Sequence, residues 1–114
     1  IHTSSIFGIV AGQNRSVYSM TKFSVEGLTK GMALDLAKYN ILVNSVSPGL
    51  IDDGNLKERW PEGLNRWLDS APLRRAGSPK DVANAVVFLS SPMASWITGS
   101  DLVVDGGVST SSTW

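Results

Sequence analysis

The stretch VYSMTKFSVEGLTKGMALDLAKYNILVNSVSPG, residues 17–49, changes its hydrophobic rhythm at Asn40, and that change decides the fold. Up to residue 39 the apolar side chains Phe23, Leu28, Met32, Leu34, Leu36 and Ala37 alternate with Lys22, Glu26, Lys30, Asp35 and Lys38. That periodicity predicts a helix with a wide apolar face. Ser16 is placed to cap its start, and Asn40, whose short amide tolerates a left-handed backbone, to end it. Residues 41–47, ILVNSVS, then read as a strand buried on both faces, as in parallel sheets, and closed by Pro48-Gly49.

Downstream, residues 55–70 form a helical lobe that Pro61 divides, with Trp60, Leu64 and Trp67 expected on one packing face. A better-marked helix follows. Ser78 is its N-cap, Pro79 its first residue and Asp81 lies in its first turn, with Val82, Ala85, Val86 and Leu89 along one side. Ser90-Ser91-Pro92 stops it, residues 101–105 read as a short strand, and residues 109–113 as a polar tail before Trp114. Upstream, Ser5 stands at the end of an apparent first strand. Strand, helix, strand, helical lobe, helix, strand is the alternation of a parallel α/β sheet. Such a small sheet leaves an open edge and uncovered apolar surface.

The chain has 114 residues, 42% of them hydrophobic and 18% charged, with ten basic side chains against ten acidic. That balance suggests neither disorder nor an electrostatic nucleic-acid binder. There is no cysteine, hence no disulfide framework, zinc-thiolate site or cysteine nucleophile, which fits an intracellular setting. No apolar run approaches the roughly 20 residues that span a bilayer. His2 is the one histidine, and no second ligand stands at metal-binding spacing, so it reads as a structural histidine.

Tyr18 and Lys22 are four apart, so one helical turn brings them to the same face. A phenol, with an ordinary pKa of about 10, is a poor proton donor or acceptor near neutrality, and an ammonium nearby favours its ionised form. Ser5 lies upstream in Thr3-Ser4-Ser5, and its hydroxyl is suited to hold a substrate oxygen beside the phenol; Ser4 is the rival for that role. Asp52-Asp53 form a carboxylate pair without the facing geometry of glycosidase chemistry. Glu26, a turn beyond Lys22, is expected to reach solvent or a subunit interface.

Ser5, the segment Tyr18-Ser19-Met20-Thr21-Lys22, the turn after Val43-Asn44-Ser45-Val46-Ser47-Pro48-Gly49, the helix opening Ser78-Pro79-Lys80-Asp81 and the ending Ile97-Thr98-Gly99 through Asp105-Gly106-Gly107 stand in one order. With that spacing the chain resembles the short-chain dehydrogenase/reductase family over essentially its whole length. The resemblance implies a doubly wound Rossmann-type α/β fold, NAD or NADP as cofactor, and interconversion of a secondary alcohol and a ketone in the cytoplasm. By resemblance Tyr18 is the general acid or base, Lys22 binds the nicotinamide ribose and assists the phenol, and Ser5 orients the substrate oxygen. Pro48, Gly49 and Ile51 match the turn that passes the nicotinamide. Asp53 stands where the family often has threonine, so a weakened or altered cofactor contact is expected there.

The segment after that turn resembles a substrate lid, which makes Leu56 and Trp60, with Phe7 and Leu50, candidates to line an apolar pocket. Resemblance also implies a homo-oligomer, dimer or tetramer, through the Tyr18 helix, whose outer face is expected to offer Val25, Met32 and Leu36. The glycine fingerprint of a dinucleotide pyrophosphate site is absent from these residues. The chain is therefore expected to be the C-terminal part of a single Rossmann-type domain, inactive and unstable without an N-terminal half. The alternatives are a non-catalytic remnant or binding module of the same fold and, less favoured for lack of a separate substrate domain, an epimerase or dehydratase.

Overall fold

A computed structural model describes residues 1–110. Three short strands, β1 (His2–Thr3), β2 (Ser45–Pro48) and β3 (Asp101–Val104), form a parallel sheet in that order. His2 lies opposite Ser45, and Ser45 to Pro48 run in register with Asp101 to Val104. The connections carry α1 (Ser16–Leu36) between β1 and β2, and α2 (Leu56–Arg59), α3 (Pro61–Ser70) and α4 (Pro79–Leu89) between β2 and β3. None of the described helices is long and apolar enough to cross a membrane.

Successive β2 residues point to opposite faces, and the two faces differ. Val46 is fully buried in a cluster with Leu89 and Ala94, against which Val82, Ala85, Val86, Phe88, Ile97 and Leu102 pack. Ser45 points the other way and meets Glu26 of α1 at 3.0 Å. Thus α4 and α1 cover opposite faces, the doubly wound arrangement.

Capping explains why α4 starts where it does. Ser78 Oγ accepts from the Asp81 N–H, and the Asp81 carboxylate accepts from the Ser78 N–H at 2.7 Å, a reciprocal capping box. The Arg75 guanidinium, followed by the Ser78 donors, holds the Asp81 carboxyl well below the usual carboxylate range.

Several expectations change. The wide apolar face of α1 is not its buried face: Leu28 and Leu34 are 54% and 81% exposed, while Ser19, Thr29 and Ala33 are buried. The sheet surface beneath α1 is made of small polar side chains, so polar partners sit best there: His2 Nδ1 lies 2.8 Å from Thr29 Oγ1, and Ser4 Oγ donates to the Lys22 carbonyl at 3.2 Å. Glu26 turns inward to Ser45 rather than to solvent. Val25, Met32 and Leu36 are half-buried, and the outward apolar residues of α1 are instead Val17, Met20, Phe23, Leu28 and Leu34.

Ser16 is the first helical residue, not the cap, with Arg15 before it making no side-chain cap. Asn40 ends the helical stretch in a left-handed conformation, φ 57°, after a 3₁₀ turn at Ala37–Tyr39. β2 starts only at Ser45. Val43 and Asn44 spend their hydrogen bonds on the loop before β3, through Val43 N–H to Thr98 Oγ1 and the Asn44 amide to Ile97 O and Ser100 N–H. β3 stops at Val104 because the Asp105 carboxylate accepts from the Gly107 and Ser109 N–H groups, turning the chain. Val108–Thr110 then form a 3₁₀ turn with Val108 buried, where a polar tail was expected; residues 111–114, with Trp114, lie outside the described residues.

Candidate active site

β1 also ends earlier than the sequence suggests, and Ser5 follows it as the cap of a 3₁₀ turn, Ile6–Gly8, its Oγ accepting from the Phe7 N–H at 3.2 Å. This turn lies against α1. Gly8 makes that approach feasible: a Cβ there would stand 2.5 Å from Ser4 Oγ and 2.8 Å from the Lys22 carbonyl oxygen. The same contact separates the two serines. Ser4 Oγ is spent on Lys22's carbonyl, whereas Ser5, 8% exposed, lines a cavity together with Tyr18.

Tyr18 and Lys22 share one face of α1, with the Lys22 ammonium 5.7 Å from the Tyr18 ring centroid. Lys22 Nζ donates to the Thr3 carbonyl at 3.1 Å, which ties it to β1 and engages one of its three donors. Phe7 stands edge-on to the Tyr18 ring, centroids 6.2 Å apart. Tyr18 itself is 44% exposed and lines the cavity.

The cavity has a volume of about 700 Å³ and is bounded by Ser5, Phe7, Tyr18, Gly49, Leu50, Trp60, Trp67 and Val108, with Gln13, Arg15, Arg66 and Asp69 adding polar groups. One wall is α3 with Trp60 just before it. Trp60 and Trp67 both face the cavity, not a core. Gly63 admits the first, since a Cβ there would collide with the Trp60 indole. Trp67 is held by its Nε1 donating to the Arg75 carbonyl at 3.1 Å, and it closes on Gly49, where a Cβ would meet its ring at 2.6 Å. Leu56 is 7% exposed and is not among the cavity-lining residues.

The turn after β2 is pinned at both ends. Gly49 N–H donates to Val104 O, and Ile51 forms a parallel bridge to Gly77 through the Leu50 carbonyl and the Asp52 N–H. In such a bridge Ile51's own N–H and C=O point away from Gly77. Asp52 accepts from the Leu56 and Gly54 N–H groups, which lower its pKa and anchor the start of α2. Asp53 is held by Arg59 at 2.7 Å and by the Asn55 N–H.

The nicotinamide end of a dinucleotide fits these residues: Lys22 keeps donors for ribose hydroxyls, and Ile51 presents backbone polar groups beside Pro48 and Gly49. Sequence reasoning missed Gln13, Arg15, Arg66 and Val108. Only the position of Arg15, three residues before Tyr18, and of Arg66, next to Trp67, offered a signal.

A doubly wound parallel sheet defines a class of fold, and the comparisons with known proteins agree with it. A family model described as enoyl-(acyl carrier protein) reductase matches residues 1–109, and the chain belongs to the short-chain dehydrogenase/reductase family of oxidoreductases. Among curated relatives, trans-4-hydroxycyclohexanecarboxylate dehydrogenase of Sinomonas cyclohexanicum is 41% identical over 107 residues, 94% of this chain and 39% of that protein. Among solved structures, 4-hydroxyisoleucine dehydrogenase complexed with NADH superposes with a TM-score of 0.84 at 35% identity, over 96% of this chain and 45% of that one. ElxO with NADP bound gives 0.86 at 33%, again over 96% and 45%. The expected cofactor, NAD or NADP, agrees with both. The chain spans about two-fifths of the length of the curated relatives it matches.

Proposed function

We propose that these residues supply the proton-transfer and substrate-binding part of an NAD(P)-dependent enzyme that interconverts a secondary alcohol and a ketone. The observation that carries this reading is Ser5 and Tyr18 lining one cavity while Lys22 lies against the Tyr18 ring. In the direction of reduction, Tyr18 Oη gives its proton to the carbonyl oxygen; in oxidation it takes the hydroxyl proton. Ser5 Oγ donates a hydrogen bond to the same oxygen and fixes its direction. The Lys22 ammonium, anchored on Thr3, favours negative charge on the phenol oxygen as the proton leaves. A nicotinamide, when bound, would supply the hydride chemistry at the substrate carbon. The apolar walls, Trp60 and Trp67, suit a ring or hydrocarbon body, in keeping with the cyclic substrate named for the Sinomonas relative.

The reading assigns the pyrophosphate-binding turn to an N-terminal segment of the same Rossmann-type domain, gives Asp53 a weakened cofactor contact, and has the protein assemble as a cytoplasmic homo-oligomer through α1. The complete protein, given secondary alcohols or ketones with both nicotinamide cofactors, should change the absorbance of the reduced form. Tyr18→Phe should abolish that turnover. No turnover of any alcohol or ketone, or full activity in Tyr18→Phe, contradicts the reading.

A further inference from the structure

The cavity carries charge that the proposed proton transfer does not use. Arg15 and Arg66 line it against a single acid, Asp69. Of the arginines outside the cavity, Arg59 is paired with Asp53 at 2.7 Å and Arg75 with Asp81 at 2.8 Å, while Arg74 has no ion pair among the described residues. Among the described residues, neither Arg15 nor Arg66 has a carboxylate within ion-pair distance, Asp69 included.

Arg66 is also held in place. Its guanidinium lies over the Trp60 ring, 5.7 Å from the centroid, on the α3 side of the cavity. This cation–π contact restrains the guanidinium beside the cavity, and with no carboxylate partner its N–H groups can meet a planar anion with two parallel hydrogen bonds. Arg15 adds positive charge from the other side, three residues before Tyr18. The same cavity has aromatic and aliphatic walls, Phe7, Leu50, Trp60 and Trp67.

We propose, resting on the alcohol–ketone reading, that the substrate is a hydroxy acid or keto acid whose carboxylate is separated from the reacting carbon by an apolar ring or chain. Arg66 receives the carboxylate and Arg15 contributes to the field that draws it in. Arg66 is then a specificity-determining residue. The apolar spacer lies along the Trp walls, and the reacting oxygen lies at Ser5 and Tyr18.

The test uses the complete protein with a hydroxycyclohexanecarboxylate and the corresponding carboxamide, equal in shape and different in charge. The carboxylate should be favoured in kcat/KM by roughly 10- to 100-fold, the range of a hydrogen-bonded charge. Arg66→Met should erase that preference by raising KM for the carboxylate, and Arg66→Lys should keep part of it. Equal handling of the two probes overturns the proposal, as does a preference that survives Arg66→Met. A rise in cofactor KM instead of substrate KM also overturns it, because Arg66 would then serve the dinucleotide.

If neither probe turns over, calorimetry with unreactive cyclohexanecarboxylate and cyclohexanecarboxamide decides. Selective binding of the acid that Arg66→Met abolishes upholds the carboxylate site independently of the alcohol–ketone reading. Absent or unselective binding overturns the site.

Discussion

Where α4 covers the sheet, Val46 meets Leu89 and Ala94; where α1 covers it, Ser45 meets Glu26, His2 meets Thr29 and Ser4 meets the Lys22 carbonyl. The first contact is non-directional and works by excluding water, so it fixes how close α4 lies more than where along the strand it sits. The second set is directional. Its hydrogen bonds fix the rotation and register of α1, and with them the positions of Tyr18 and Lys22 relative to Ser5. One face holds the fold, while the other, on the proposed reading, aims the chemistry.

This contrast can be broken at graded points. Leu89→Ala removes a side chain that is 6% exposed and should cost the complete protein about 3 kcal/mol in denaturant unfolding, the usual range for an emptied core site. A negligible loss would mean that α4 is not the holding face. Gly49→Ala brings a Cβ within 2.6 Å of Trp67 and 2.9 Å of Asp105. It should cost about 2 kcal/mol, as overpacking does, and raise the substrate KM as Trp67 shifts.

On the polar face, Thr29→Val keeps the branched shape and deletes the partner of His2. It should cost about 1 kcal/mol, and its KM and kcat should report whether the register of α1 matters to turnover.

The smallest effect concerns acid pairing. Ser45 Oγ lies 3.0 Å from Glu26 Oε2 and 2.9 Å from Asp101 Oδ1, yet it has one proton to donate. That one proton cannot serve both carboxylates, and burial, reinforced by Glu26, raises the Asp101 pKa against the opposing pull of Ser47, Ser45 and Lys30. A raised folded pKa means that Asp101 contributes stability below its unfolded value and loses it as pH climbs through the folded one. Asp101→Asn, which mimics the protonated form, should raise the melting temperature slightly at neutral pH. The gain should vanish in acid, and a gain independent of pH would contradict the pairing.

The α4 side was legible because its signals are local: Ser78, Pro79 and Asp81 form the cap within one turn, and Val82, Val86 and Leu89 repeat on one face. Asn40 and Pro61 were readable for the same reason, each acting on its own backbone. The α1 face was misread because apolar periodicity assumes an apolar surface underneath, and here the sheet presents serines. Phe23, Leu28 and Leu34 therefore point outward although their spacing looked like a core.

In the candidate site, Ser5, Tyr18 and Lys22 stood out by residue type and order. The choice between Ser4 and Ser5 needed the Ser4 bond to Lys22 O, a contact across 18 positions that no spacing encodes. Arg15, just before α1, and Arg66, in α3, stayed hidden because a charged residue there looks like any solvated one until the cavity beside it is seen.

The central claim is that the α1 face does the chemistry and the α4 face the holding, and the most direct test measures kcat and melting temperature together for Tyr18→Phe and Leu89→Ala in the complete protein. Tyr18→Phe should lose roughly 100- to 10,000-fold in kcat with an unchanged melting temperature, as expected when a general acid–base group is removed. Leu89→Ala should melt earlier while the folded fraction keeps its kcat. An active Tyr18→Phe protein, or one whose loss of activity only follows a loss of folding, would contradict the account.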